Sequence, residues 1–529
     1  MTDLARRDLL SSAAAGALLV LIGPAVAAPR AAARKPNIVL IYTDDLGYGD
    51  VGCYGAAQVA TPNIDRLAAG GVRFTNGHAP SATCTPSRYA LLTGEYAWRK
   101  EGAHILPGDA PALIPPGKDT IPSMLKRAGY ATAVIGKWHL GLGSGDLDWN
   151  KRIAPGPREI GFDYAFYFPA TLDRVPSIYI EDHQTVGLDP NDPIVVDYRT
   201  KVGNDPTGLD HPELLRMPWN DGHNGTIVDG VSRIGFMSGG HAARWTDEDM
   251  ADTLLAKAKL FIDRHRDAPF FLYYSTSEIH VPRLPAKRFQ GATSMGPRGD
   301  AIAELDWVVG EIMQTLERNG IADETMIVFS SDNGPVLNDG YDDEAVTRIG
   351  NHRPAGHFRS GKYSIYDGGL KVPMIVHWPR GAARGVDSAA LIDHVDLFAS
   401  LAAITGQRLP SASAVDSFDL SATLLGRSEA GRPFLVEDTS TINAEQATLQ
   451  THGDSIFALV EGNWKLVASH ADAASFHGNE IGSTATPQLF DVARDPGETV
   501  NLVDRFPQRA AAMQERLRAI VGGRRTRPA

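Results

Sequence analysis

Residues Asn37–Thr43 form a nearly unbroken apolar run, Asn-Ile-Val-Leu-Ile-Tyr-Thr, that stops at Asp44-Asp45. A run of this length without alternation suits a strand buried on both faces of a parallel sheet. The period then changes. Residues 62–70 read as a helix, 72–75 as an extended segment, and a further helix is expected to begin near Pro86. Residues 121–128 are predicted helical, and 131–135 form a strand leading into Gly136-Lys137-Trp138-His139. Met250, Leu254, Ala258 and Phe261 share one face of a helix over residues 246–266, with Thr246 and Asp249 expected as a capping pair. A strand at 270–274 follows. Leu305, Val308, Val309, Ile312 and Leu316 mark a helix over 301–319, which feeds a strand at 326–330 ending at Ser331-Asp332-Asn333-Gly334.

Alternation of strands and helices predicts an α/β fold: a large mixed, mostly parallel sheet flanked by helices. In such sheets functional residues sit beyond the carboxyl ends of the strands. Residues 140–240 break the pattern, being rich in Pro, Gly, Asp and Asn, and read as a long surface insertion at the pocket mouth. After about residue 425 the character shifts again. Residues 455–460 and 463–467 read as the two strands of a hairpin. The tail 522–529 is expected to be disordered.

Composition narrows the function classes. The 529 residues are 43% hydrophobic and 22% charged, as in an ordinary globular enzyme. Net charge is −12 with no long basic run, which argues against nucleic acid as a partner. Arg6-Arg7-Asp8-Leu9-Leu10, an alanine-rich apolar stretch and Ala25-Val26-Ala27 read as a bacterial export signal over residues 1–28, of twin-arginine type. This implies an encounter with export machinery, a periplasmic or secreted product, and a mature chain without a membrane span. Cys53 and Cys84 are the only cysteines.

The chemistry is concentrated in Cys84-Thr-Pro-Ser-Arg-Tyr-Ala-Leu-Leu-Thr-Gly94. Seven of these eleven positions match Cys-x-Pro-Ser-Arg-x-x-Leu-x-Thr-Gly, and the stretch resembles the signature of type I sulfatases in the alkaline-phosphatase-like superfamily. The resemblance extends over residues 35–521, and it implies a catalytic domain at 35–425 and, over 426–521, a small α+β subdomain with an antiparallel sheet closed by a helix at Pro507–Val521. It implies that a maturation enzyme oxidises Cys84 to formylglycine, whose hydrated form attacks sulfur and later releases sulfate. That conversion leaves Cys53 without a disulfide partner. With folded export, the modification is expected to precede translocation.

Asp44-Asp45 and Asp332-Asn333 stand at two strand ends in family-like context, an all-oxygen quartet suited to Ca²⁺, with Mg²⁺ second. By resemblance the four bind one calcium that also touches residue 84. Arg88 and Lys137 would neutralise the diol, and Lys137 and Lys362 would bind sulfate oxygens. His139 would take a proton from the diol, and His280 would protonate the leaving alcohol. Preplaced cations and a proton donor suit a transfer that concentrates charge on the bridging oxygen. Thr171 is a candidate sulfate contact. Asp173, Arg174, His352, Arg353 and His357 flank motif positions and are candidates for reading sugar hydroxyls.

The reading is hydrolysis of a sulfate monoester, with a small sulfated saccharide as the expected substrate. The alternatives are a broad arylsulfatase, a phosphonate or phosphate ester hydrolase, and a non-catalytic sulfated-glycan binder. Phosphatases of the superfamily use Ser or Thr with two zinc ions and several His ligands, a set this chain does not offer. Phosphonate monoester hydrolases typically have Asp-His where this chain has Asp332-Asn333.

Overall fold

The computed structural model describes residues 35–528 apart from 146, 440–441, 444–447, 450–454 and 471–473, with backbone alone at 442–443 and 448–449. The expected export signal lies outside the described residues. No described helix is long and apolar enough to cross a membrane.

From Pro36 onward the chain is one compact unit built on a ten-stranded sheet. Its strands are β1 (Asn37–Thr43), β2 (Val72–Phe74), β3 (Ala131–Lys137), β4 (Tyr164–Phe168), β5 (Ile180–Glu181) and β6 (Gln184–Thr185), then β7 (Phe270–Ser275), β8 (Thr325–Ser331), β9 (Met374–His377) and β10 (Val386–Ser388). They lie in the order β10-β2-β9-β8-β1-β7-β3-β4-β5-β6. The central five, β8-β1-β7-β3-β4, are all parallel, so their carboxyl ends open on one edge.

Every residue of β1 is buried. Ile38, Leu40 and Tyr42 enter a core with α2 (Cys84–Thr93), α3 (Ile121–Arg127) and a helix at Leu397–Ile404. Val39 and Ile41 enter the opposite core with α1 (Pro62–Ala69), α4 (Met250–His265) and α5 (Pro297–Arg318). Two covered faces explain why β1 shows no alternation.

Four local expectations differ from what is observed. The signature helix begins at Cys84, two residues before Pro86, so Cys84 occupies its first turn. The 246–266 helix begins at Met250 after a short turn at Asp247–Asp249, and Thr246 makes no side-chain cap. Part of the 140–240 insertion joins the main sheet, because the aromatic run of β4 pairs with β3. The tail, expected without order, is tied down: the Thr526 N–H donates to Asp416 Oδ1 at 2.9 Å and Arg527 to the Ser413 carbonyl at 2.8 Å.

A second, antiparallel sheet runs β11 (Leu435–Thr439), β12 (Ile456–Glu461), β13 (Trp464–Val467), β14 (Gln488–Asp491), and α6 (Pro507–Val521) packs on it through Ala510, Met513 and Leu517. This sheet is joined to the larger one at the signature: the Ala82 N–H donates to the Asp438 carbonyl at 3.3 Å. Below it, the buried Lys465 ammonium meets Asp367, Glu437 and Glu498 at 2.6, 3.0 and 3.2 Å.

Asp438 is buried in β11 with no partner for Oδ1 among the described residues, and burial pushes its carboxyl up to about 8. The unfolded chain releases this proton near pH ~3.9. Its contribution to stability is therefore complete below that pH and is lost as pH rises towards 8. Urea unfolding across this range should show wild-type stability falling with pH, and Asp438→Asn should flatten the slope and gain a few kcal/mol, at ~1.4 kcal/mol per pH unit, in the alkaline arm.

Candidate active site

Neighbouring parallel strands deliver the site. Asp44 and Asp45 follow β1, Lys137 ends β3, His280 lies five residues beyond β7, and Asp332 and Asn333 follow β8. Cys84 comes from the start of α2 and Lys362 from the loop before β9. Main-chain bonds lock the edge: the Asp44 N–H donates to the Glu278 carbonyl at 2.9 Å, and the Ile279 N–H to the Asp44 carbonyl at 2.8 Å. Asp45, His139 and Tyr363 have φ of 59°, 52° and 73°. Left-handed backbone at non-glycine residues costs about 1–3 kcal/mol each and persists where the surroundings over-determine it. Gly136, at φ 114°, is required for a different reason: a Cβ there would lie 1.8 Å from the Ser275 carbonyl oxygen.

The charged groups interlock below solvent. Lys137 Nζ lies 2.7 Å from Asp44 Oδ2. Arg88 places Nε and Nη2 on Asp332 Oδ2 at 3.0 and 2.6 Å and Nη1 on Ser275 Oγ at 2.5 Å. Lys362 Nζ bridges Asp45 Oδ2 and Asp339 Oδ2, both at 2.9 Å. Burial works against the Lys362 charge, but Asp339 and Asp45 outweigh it and hold the ammonium well above its ordinary range. Arg88 is likewise held charged, with Asp332 overcoming burial.

Cys84 Sγ is 3.7 Å from Asp44 Oδ1. Burial raises its pKa far more than Lys137 and Lys362 lower it, so the thiol is protonated at neutral pH. As a plain cysteine it is a poor nucleophile.

The two histidines have defined tautomers. His139 directs Nε2 to the Leu106 carbonyl at 2.9 Å, so Nε2 carries the hydrogen. Its Nδ1 is left as a buried acceptor without a partner among the described residues. Burial, reinforced by Lys137 and Arg174, keeps this ring neutral. His280 donates Nδ1–H to the Val281 carbonyl at 2.7 Å and turns Nε2 towards Lys362 Nζ at 3.3 Å.

The donor set fits a hard divalent cation. Ligand atoms of Asp44, Asp45, Cys84 and His280 lie within 4.8 Å of one another. Asp332 Oδ1 accepts the Asp45 N–H at 3.2 Å, and Asn333 Nδ2 is 2.7 Å from Asp45 Oδ1, so the expected quartet is assembled around Asp45. Asn333 Oδ1 is buried without a partner among the described residues. Four carboxylates, Asp44, Asp45, Asp332 and Asp339, face three basic side chains, Arg88, Lys137 and Lys362. A divalent ion would turn this excess negative charge positive, which an anionic substrate needs. Carboxylate and amide oxygens favour Ca²⁺ or Mg²⁺.

A cavity of about 250 Å³ opens onto Cys84, His139, His280 and Lys362. Its wall also carries Asp173 and Arg174. Arg174 Nη1 is 3.0 Å from Asp173 Oδ1 and 2.6 Å from Thr171 Oγ1, so Thr171 stands behind the wall as an anchor. Asp173 also meets His223 Nε2 at 2.9 Å.

The other substrate candidates lie elsewhere. His352 is not at the cavity: its Nε2 sits 2.8 Å from Asp50 Oδ1 in a buried triad with Arg298, which needs that carboxylate neutralised. Arg353 and His357 line a separate groove with Pro335 and Asn479. The cavity instead recruits His223, Asp339, Phe476 and His477, which sequence reasoning missed. Asp339 lies in an Asn-Asp-Gly turn, an ordinary turn signal, and His223 follows Asp-Gly in the insertion. Gly340 lets His223 approach; a Cβ there would be 1.9 Å from its Nδ1.

A family model described as Sulfatase matches residues 36–407. The chain is 47% identical over 490 residues to an N-acetylgalactosamine-6-O-sulfatase of Bacteroides thetaiotaomicron, covering 92% of this chain and 93% of that one. It is 33% identical to human arylsulfatase A over 90% of this chain and 85% of the relative. A solved structure from work on metabolism of multiple glycosaminoglycans by Bacteroides thetaiotaomicron superposes with a TM-score of 0.89 at 47% identity, over 93% of this chain and 100% of the other.

The contrast between His352 and Asp173 is testable. His352→Ala should lower stability by about 1–3 kcal/mol, the cost of a lost hydrogen bond to a charged group, with KM for a small sulfate ester unchanged. Urea unfolding and steady-state kinetics on the same variant check both halves.

Proposed function

The chain belongs to the sulfatase family and is a sulfuric ester hydrolase, and we propose that its substrate is a sulfated carbohydrate, foremost a 6-sulfated N-acetylgalactosamine residue. The observation that carries the substrate reading is the polar wall that Asp173, Arg174 and His223 form in the cavity that Cys84 also lines. Such a wall can pair with sugar hydroxyls, whereas a hydrophobic slot would suit aryl groups. The similar Bacteroides enzyme, named for 6-O-sulfated N-acetylgalactosamine, supports the same class. A cavity of about 250 Å³ suits one sugar ring with its sulfate.

The reaction is R–O–SO₃⁻ plus water giving the alcohol and hydrogen sulfate, with the S–O bond broken. Oxidised to formylglycine, residue 84 would supply a hydrated aldehyde, one hydroxyl attacking sulfur and the other allowing sulfate to leave. Asp44, Asp45, Asp332 and Asn333 would hold Ca²⁺, which supplies Lewis-acid polarisation of the sulfuryl oxygens. Lys137 and Lys362, preplaced by Asp44 and Asp45, neutralise the sulfate oxygens. Arg88 holds Asp332 and helps keep the site positive. His139 accepts a proton at Nδ1, because Nε2 is committed to Leu106. The Lys362–His280 pair delivers a proton to the bridging oxygen. A maturation enzyme must act on Cys84, and the N-terminal residues support export to the periplasm or beyond.

Peptide mass spectrometry of the exported enzyme should show a loss of about 18 Da at residue 84, or near-parent mass when hydrated, and Cys84→Ala should abolish turnover. A plain thiol in active enzyme overturns this mechanism. EDTA should remove activity and Ca²⁺ restore it. His280→Ala should cost roughly 10²–10⁴ in kcat on a sulfated sugar, and much less on nitrophenyl sulfate, whose leaving group needs no proton. Across 6-, 4- and 3-sulfated N-acetylgalactosamine, the 6-sulfate should give the highest kcat/KM. Preference for aryl sulfates over every sugar would reject the carbohydrate reading.

A further inference from the structure

Residues 505–528 contain seven arginines and one glutamate in a chain whose net charge is −12. Arg509, Ala512, Met513 and Arg516 recur at helical spacing on α6, and with Arg505 and Glu461 they line an open groove of about 770 Å³. Arg516 is neutralised by Glu461 at 2.7 Å. Arg505 and Arg509 have no carboxylate within 4 Å among the described residues, and both side chains are exposed. Aromatic rings hold them out. Arg509 lies 4.5 Å over Trp464, Arg505 5.4 Å over Phe506, and these two rings meet edge-on at 5.2 Å. Ala512, small and exposed, keeps the floor of the groove open.

Free guanidinium groups match sulfated sugar polymers, since the planar guanidinium fork pairs with oxyanions in bidentate fashion. The rest of the acidic surface repels such a polymer, so retention must come from a local positive element. We propose that this groove on α6 is a second, non-catalytic binding site for a sulfated polysaccharide, which holds the chain while a residue of it enters the catalytic cavity. The ligand class rests on the carbohydrate reading above; the groove and its charge do not.

The test compares wild type, Arg505→Ala/Arg509→Ala and Ala512→Glu, which leaves both arginines in place but adds a carboxylate to the groove. Binding to chondroitin sulfate is measured by affinity electrophoresis at several salt concentrations, alongside kcat/KM on a sulfated monosaccharide. Both variants should bind the polymer at least about tenfold more weakly, a loss of ~1.4 kcal/mol, with a shallower salt dependence and unchanged monosaccharide kcat/KM. Monosaccharide turnover judges the catalytic reading separately from polymer binding. Unchanged polymer binding in both variants, or no binding by wild type, overturns the proposal. Equal wild-type affinity for unsulfated hyaluronan, duplex DNA or phosphatidylglycerol vesicles also overturns it, because the groove would then read charge alone.

Discussion

Burying ionised groups is affordable only when each finds an opposite charge in good geometry, and the site is organised around that constraint. Asp44 takes Lys137, Asp332 takes the Arg88 fork, and Asp45 shares Lys362 with Asp339. Each carboxylate thereby fixes the position of a cation, and each cation fixes its carboxylate in turn. Loss of one member leaves a bare buried charge, which explains why the surrounding backbone is so heavily determined. Left-handed Asp45 and His139 and the crowded Gly136 are the local consequences.

The parallel core supplies the rigidity this requires. β8, β1, β7 and β3 end side by side, so four segments of remote sequence are held a few ångströms apart by main-chain bonding. The smaller sheet contributes as well. Its β11 joins the residues just before Cys84, and Lys465 draws Asp367, Glu437 and Glu498 together beneath the segment that carries Lys362. The C-terminal sheet therefore buttresses the site, and a separate hairpin, Ser475–Phe476 paired with Asn479–Glu480, brings Phe476 and His477 to the cavity.

Much of this was legible beforehand. β1, β7 and β8 are doubly covered strands, and a doubly covered strand writes itself as a continuous apolar run. Cys84 to Gly94 and the acidic pairs are local motifs, and local motifs survive without knowledge of packing. Helix starts were less legible, because Pro86 is compatible with several positions in a first turn and the Thr246 hydroxyl has other options than a cap. The ordered tail escaped because its contacts, Asp416 and Ser413, lie more than a hundred residues away.

What the sequence determined by itself is the sheet class, the signature stretch that begins at Cys84, and the identity of the charged groups that the fold gathers beside it. These depend on periodicity and on short motifs whose residues are neighbours in the chain. The tertiary structure alone decided which flanking polar residues meet the cavity. It sent His352 to the Asp50–Arg298 pair, put Arg353 and His357 in another groove, and brought His223 and Asp339 in from distant loops. A buried carboxylate takes the nearest available donor in space, and spatial nearness across hundreds of residues leaves no trace in local pattern.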